Sequence, residues 1–196
     1  MRMNLPNKLT LLRIGLVPVF AVFAALAVPS HGRLWYLLAG IVFGAASLTD
    51  LFDGKIARKY GLVTNFGKFA DPLADKMLTT AAFLYMQKEG VCDPSVLIVI
   101  LAREFAVSGL RMLAAGSEEQ IVIPANIWGK LKTAGMMVTI CAFYFGCALW
   151  PESAFLRSSA NILCWLCAAV TLFSGITYFT ASKSLFSDMY GGKNTH

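Results

Sequence analysis

Charge is scarce in this chain. Of its 196 residues only 14% are Asp, Glu, Lys or Arg, and histidine occurs twice. No polar stretch is long enough to fold as a separate domain, which excludes disorder and an ordinary water-soluble enzyme. The alternating apolar and polar pattern of a membrane β-barrel is missing as well. Cysteine builds no framework: Cys141, Cys147, Cys164 and Cys167 lie in apolar runs, where a thiol behaves as a small hydrophobe, and Cys92 stands alone. Cys164 and Cys167 form a C-x-x-C, but no second Cys or His pair completes a zinc site, so neither redox nor metal chemistry is read there. The opening basic residues Arg2, Lys8 and Arg13 precede an apolar run, yet no small-residue cleavage site follows in VPSHGR, so this run is read as a retained span.

What fills the chain is apolar, 57% of residues with a mean hydropathy of +0.64. Apolar stretches near the roughly 20 residues needed to cross a bilayer predict an all-α integral membrane protein. Six transmembrane helices are expected, at about 9–29, 34–52, 73–88, 94–115, 131–150 and 155–182, in one domain over residues 1–196. The connections with much polar content are 53–71, 116–130 and the tail. Sorting cations by connection puts Arg2, Lys8, Arg13, Lys55, Arg58, Lys59, Lys68, Lys76, Arg111, Lys130, Lys132, Lys183 and Lys193 on one side. Arg33, Lys88 and Arg157 fall on the other, and Arg103 lies within a span. Since Lys and Arg accumulate on the cytoplasmic side, both termini and the connection between spans 2 and 3 are predicted to be cytoplasmic.

Carboxylates at membrane spans are costly, which makes those placed there functional candidates. Four of the 11 acidic residues fall in SLTDLFDGKIARKYGLVTNFGKFADPLADK: Asp50, Asp53, Asp71 and Asp75. Asp50 and Asp53 are spaced i, i+3 and Asp71 and Asp75 i, i+4, so each pair shares a helix face. If the end of span 2 packs on the start of span 3, the four converge on one polar, cytoplasmic-side cavity, and they require positive charge among them to stay ionised. Oxygen donors without His or Cys favour magnesium or manganese, allow calcium and disfavour zinc. Gly54, Ala57 and Gly67 leave room for close approach, and Arg58 supplies a fork suited to phosphate. Local structure offers a rival account of parts of the motif: Asp71-Pro72 as a helix N-cap, Asp53-Gly54 as a turn. Neither accounts for Asp50 and Asp75.

The same positions, D-x2-D-G-x2-A-R-x8-G-x3-D-x3-D, resemble the signature of the CDP-alcohol phosphotransferases without a departure. The opening LPNKLTLLRI, the extension ADPLADKML, AREFAVSGLR and GKLKT are similar to members that make phosphatidylglycerophosphate. The resemblance implies a phosphatidyl transfer from CDP-diacylglycerol to an alcohol with release of CMP. It further implies two divalent ions, Mg2+ or Mn2+, on Asp50, Asp53 and Asp71, with Asp75 near the metals and acting as general base. Asp50, Asp53, Gly54, Ala57, Arg58 and Gly67 would border the cytidine diphosphate. A homodimer in a bacterial cytoplasmic membrane, with no nucleic-acid partner, is implied too.

The acceptor is read from cations outside the signature. Arg103 and Arg111 are eight residues apart, on nearly one helix face about 12 Å from each other. A deep Arg103 needs a partner, either the adjacent Glu104 or a bound anion. With Lys130 and Lys132 these residues predict a pocket for an acceptor that carries phosphate. Glycerol-3-phosphate is then favoured over serine, while inositol phosphate and phosphatidylglycerol also bring an anion. The structural alternative leaves Lys130 and Lys132 as interfacial anchors and Arg103 with Glu104 as an internal pair. Asn7, Thr10 and Arg13 are secondary candidates for the nucleotide, with a helix cap at Asn7 and a snorkelling Arg13 as the alternative. A small cation transporter is the competing class, and it would spread its acids across the membrane rather than cluster them.

Overall fold

A computed structural model describes the backbone of residues 5–60, 65–116 and 127–181, and the side chains of all of these but 5–7, 29–30, 50–60, 65–72, 75, 111–116 and 181. The described residues form six helices: α1 (Leu5–Ser30), α2 (Arg33–Tyr60), α3 (Asn65–Lys88), α4 (Pro94–Gly116), α5 (Ile127–Leu149) and α6 (Ala154–Ala181). Among these residues, three helical stretches are long and apolar enough to cross a membrane: Lys8–Val28, Ile127–Leu149 and Ala154–Thr180. The others are interrupted by charge, α2 and α3 by the aspartate motif and α4 by Arg103, Glu104 and Arg111. Leu12, Val22, Ile98, Val138, Leu166 and Ile176 are more than half exposed, a surface that suits hydrocarbon and not water.

The chain divides into two compact units, one of residues 1–93 with 136–164, the other of residues 94–135 with 165–196. In the first, α1 packs against α2 and α3. Its buried stripe runs Thr10, Arg13, Val17, Phe20, Ala24, Ala27, the alternating steps of three and four that keep one helix face inward. Tyr36, Ala39, Phe43 and Ala46 do the same on α2, and Ala74, Leu78, Ala82 and Met86 on α3. Phe20 meets Phe43 at 6.0 Å and Tyr144 at 5.3 Å between ring centroids, both in edge-leaning arrangements.

Helix α3 ends on glycine. Gly90 has φ 73°, Val91 N–H bonds to Met86 C=O at 3.0 Å, and Gly90 N–H bonds to Gln87 C=O at 2.9 Å, the paired bonds that close a helix on a left-handed residue. Just before it stands Glu89, whose side chain is 3% exposed. Arg157 of α6 reaches both of its oxygen types, Nη2 to Oε2 at 3.0 Å and Nη1 to the backbone carbonyl at 3.2 Å. The buried Tyr36 hydroxyl donates to Glu89 Oε1 and lies 3.3 Å from His31 Nδ1. One turn further along α6, Asn161 donates to Val91 C=O at 2.7 Å. The C-terminal end of α3 is thus held by α2 and α6 through one ionised group and its hydrogen bonds. An open cavity beside it is lined in part by His31, Lys88, Glu152 and Arg157.

A buried carboxylate stripped of one partner keeps its desolvation cost. Replacing Arg157 by Met should therefore lower the unfolding free energy by about 1–3 kcal/mol. Tyr36→Phe, which keeps the ring and removes one neutral donor, should cost less. Denaturation in mild detergent followed by helical circular dichroism checks this, and unchanged stability of Arg157→Met would contradict the clamp.

Candidate active site

The aspartate motif rides on helices rather than on a connection. Helix α2 continues to Tyr60 and α3 starts at Asn65, so Asp50, Asp53, Gly54, Ala57 and Arg58 belong to α2 and Gly67, Asp71 and Asp75 to α3. This corrects two local readings. Asp53-Gly54 is inside α2 and makes no turn, and Asp71-Pro72 lies six residues or more beyond the first residue of α3 and caps nothing. Pro72 has no N–H for the carbonyl of Lys68, an ordinary cost inside a helix. With both halves helical, the i, i+3 and i, i+4 spacings carry their geometric meaning.

The helix register connects the motif to the core. The buried stripe of α2, continued at its own spacing from Tyr36, Ala39, Phe43 and Ala46, arrives at Asp50 and then Asp53. The stripe of α3, followed backwards from Met86, Ala82 and Leu78, arrives at Asp75 or Asp71. The side chains of Asp50, Asp53, Gly54, Ala57, Arg58, Gly67, Asp71 and Asp75 lie outside the described residues, as do those of Asn7 and Arg111.

Helix α1 supplies polar groups to the same unit. Thr10 and Arg13 are each 1% exposed, at the end of the α1 stripe away from the short turn into α2. Phe20 opposite Phe43 and Phe23 stacked on Trp35 at 6.2 Å set the two helices antiparallel. Carried on at that pairing, Thr10 and Arg13 come level with the stretch of α2 where Ser47 is buried and the aspartates begin. Arg13 does not snorkel. A wholly buried guanidinium in an apolar helix is costly, which keeps Arg13 a candidate for the nucleotide site.

In the second unit Arg103 is held by three elements. Its Nη1 lies 3.3 Å from Glu104 Oε1, and its Nη2 donates to Ser174 Oγ of α6 at 2.6 Å. Lys132 of α5 pairs with the same Glu104 oxygen. Side-chain exposures of 11%, 15% and 6% for Arg103, Glu104 and Lys132 make this an internal group of two cations and one anion. Among the described residues Arg103 Nε is buried with no hydrogen-bond partner. Lys130 is separate: two residues along a helix is a rotation of about 200°, and its side chain is exposed while that of Lys132 is buried. Sequence reasoning offered Glu104 or a bound anion as the partner of Arg103, and the Glu104 contact is present. It missed Ser174, whose one signal is a hydroxyl and a glycine interrupting the apolar run TLFSGIT.

Residues 3–173 match the CDP-alcohol phosphatidyltransferase family. A Bacillus subtilis (strain 168) protein named CDP-diacylglycerol–glycerol-3-phosphate 3-phosphatidyltransferase is 41% identical over 186 residues, 90% of this chain and 94% of its own length. Proteins of the same name from Rickettsia bellii and Haemophilus influenzae are 38% and 31% identical, over 93% and 96% of this chain and 97% and 98% of their own lengths. With its signature on two packed helices of an all-α membrane protein, the chain belongs to the CDP-alcohol phosphatidyltransferase family.

Proposed function

We propose that this protein transfers the phosphatidyl group of CDP-diacylglycerol to the hydroxyl of glycerol-3-phosphate, forming phosphatidylglycerophosphate and releasing CMP. The observation that carries the reading is the placement of all eight signature positions on α2 and α3, with the buried stripes of the two helices running on toward the aspartates. The relatives named for this reaction support the same donor and acceptor.

The donor set of Asp50, Asp53, Asp71 and Asp75 suits Mg2+ or Mn2+, since it is all carboxylate oxygen with no nitrogen or sulfur ligand in the motif. When bound, the ions would offset the charge that grows on the departing nucleotide phosphate. Asp75 accepts the proton of the attacking hydroxyl, which a carboxylate does once within hydrogen-bond reach of it. Gly54, Ala57 and Gly67 leave the backbone open to the cytidine diphosphate, Arg58 binds its phosphate as a fork, and Thr10, Arg13 and Asn7 of α1 complete that wall.

The acceptor phosphate is taken by Arg103 and Lys132, joined by Arg111 two turns along α4. Three cations against Glu104 leave an excess that a neutral acceptor such as serine would not repay. Lys130, on the opposite face of α5, contributes charge at the membrane surface. All six helices cross the membrane in this reading. The excess of basic residues at the signature end sets the termini and the active site on the cytoplasmic side of a bacterial membrane. The diacylglycerol chains then stay in lipid while the headgroups meet water-borne acceptor. A homodimer, buried through the exposed apolar faces, accompanies this arrangement.

Three outcomes are expected of purified protein given labelled CDP-diacylglycerol and glycerol-3-phosphate. CMP release should require Mg2+ or Mn2+, and undiminished release in EDTA would refute the metal reading. Asp75→Asn should slow turnover by roughly 10²–10⁴-fold while CDP still binds, so near-normal turnover removes Asp75 as base. Arg111→Met should raise the KM for glycerol-3-phosphate about tenfold with little change in that for the donor. A change confined to the donor would remove Arg111 from the acceptor site.

A further inference from the structure

We infer that Ser174 is a positioning residue for the acceptor phosphate, acting through Arg103 from the last helix. The inference rests on the acceptor reading above and adds a residue from α6, a helix outside the signature. Ser174 is fully buried, and its Oγ accepts from Arg103 Nη2 at 2.6 Å. Its neighbour Gly175 opens the path: a Cβ built there would stand 3.2 Å from Arg103 Cγ. On α5, a Cβ at Gly129 would stand 3.9 Å from both Arg103 Nη2 and Ser174 Oγ. The arginine side chain therefore runs over a glycine of α6 and ends between a hydroxyl and the adjacent carboxylate of α4.

The chemistry of the two anchors explains why both are needed. Glu104 alone would draw the guanidinium into a two-pronged ion pair and occupy the edge that a phosphate requires. A serine oxygen holds Nη2 apart from Glu104 and takes one N–H without neutralising the charge. Each terminal nitrogen of a guanidinium carries two N–H groups, so one from each, besides the partnerless Nε, is left over after these two bonds. Shared use of Glu104 by Lys132 leaves the group with one net positive charge to meet a phosphate.

The test compares Ser174→Ala, Ser174→Thr and Gly175→Ala in detergent, with two readouts. The first is steady-state CMP release. Ser174→Ala should raise the KM for glycerol-3-phosphate by about five- to twentyfold, with kcat and the donor KM within twofold of the unaltered protein. Ser174→Thr, which keeps the hydroxyl, should recover most of that loss, and Gly175→Ala, which pushes on Arg103 with the hydroxyl intact, should raise the same KM. The second readout needs no turnover: the rise in melting temperature on adding glycerol-3-phosphate should shrink in Ser174→Ala. A lowered melting temperature with an unchanged acceptor KM would make Ser174 a packing residue and overturn the inference. If the unaltered protein neither uses nor is stabilised by glycerol-3-phosphate, the acceptor reading itself fails first.

Discussion

In hydrocarbon a charge must be neutralised or hydrogen-bonded where it stands, because no water arrives to do it. The layout of this protein follows from that constraint. Arg103 is shared between Glu104 and Ser174, Lys132 turns to the same Glu104, and Glu89 is enclosed by Arg157 and Tyr36. In each case at least one partner comes from another helix, so the bonds that satisfy the charge also join the helices. Among the described residues Glu89, Arg103, Glu104, Lys132 and Arg157 all serve as such ties.

The two sets differ in charge balance, and the difference matches their roles. Among the described residues Glu89 has one cation, Arg157, and the Tyr36 hydroxyl on its carboxylate, with its backbone carbonyl taken up as well, a balance that suits a structural tie. Around Arg103 one positive charge and several N–H groups remain. The proposed phosphate-bearing acceptor would offset that surplus. The motif on α2 and α3 carries the opposite sign, four carboxylates, and by the same argument suits the cations proposed for it.

Much of this was legible beforehand. Apolar length placed all six helices to within a few residues at most ends, since runs of that kind have few alternatives. The i, i+3 and i, i+4 spacings nominated a candidate site on shared helix faces, and the cost of a deep Arg103 pointed to Glu104 or a bound anion as its partner. Where the reading fell short, the cause was competition between local and helical signals. Asp71-Pro72 and Asp53-Gly54 look like breaks, yet the helices run through them. Lys130 and Lys132 look alike in sequence, but a 200° rotation gives them different surroundings. Tyr36, Glu89 and Arg157 are far apart in the chain, and no periodicity links them. Ser174 is one hydroxyl in an apolar helix, which pattern alone does not distinguish from filler.

The clamp at the end of α3 also has a history in time. Arg157 lies 68 residues after Glu89, so the carboxylate leaves the ribosome well before its guanidinium is made. At about 5–20 residues per second, the delay is roughly 3 to 14 seconds. For most of that interval α4 and the beginning of α5, which belong to the other unit, are emerging. The first unit therefore cannot close until the start of α6 is delivered, and until then the nascent acid must be kept hydrated.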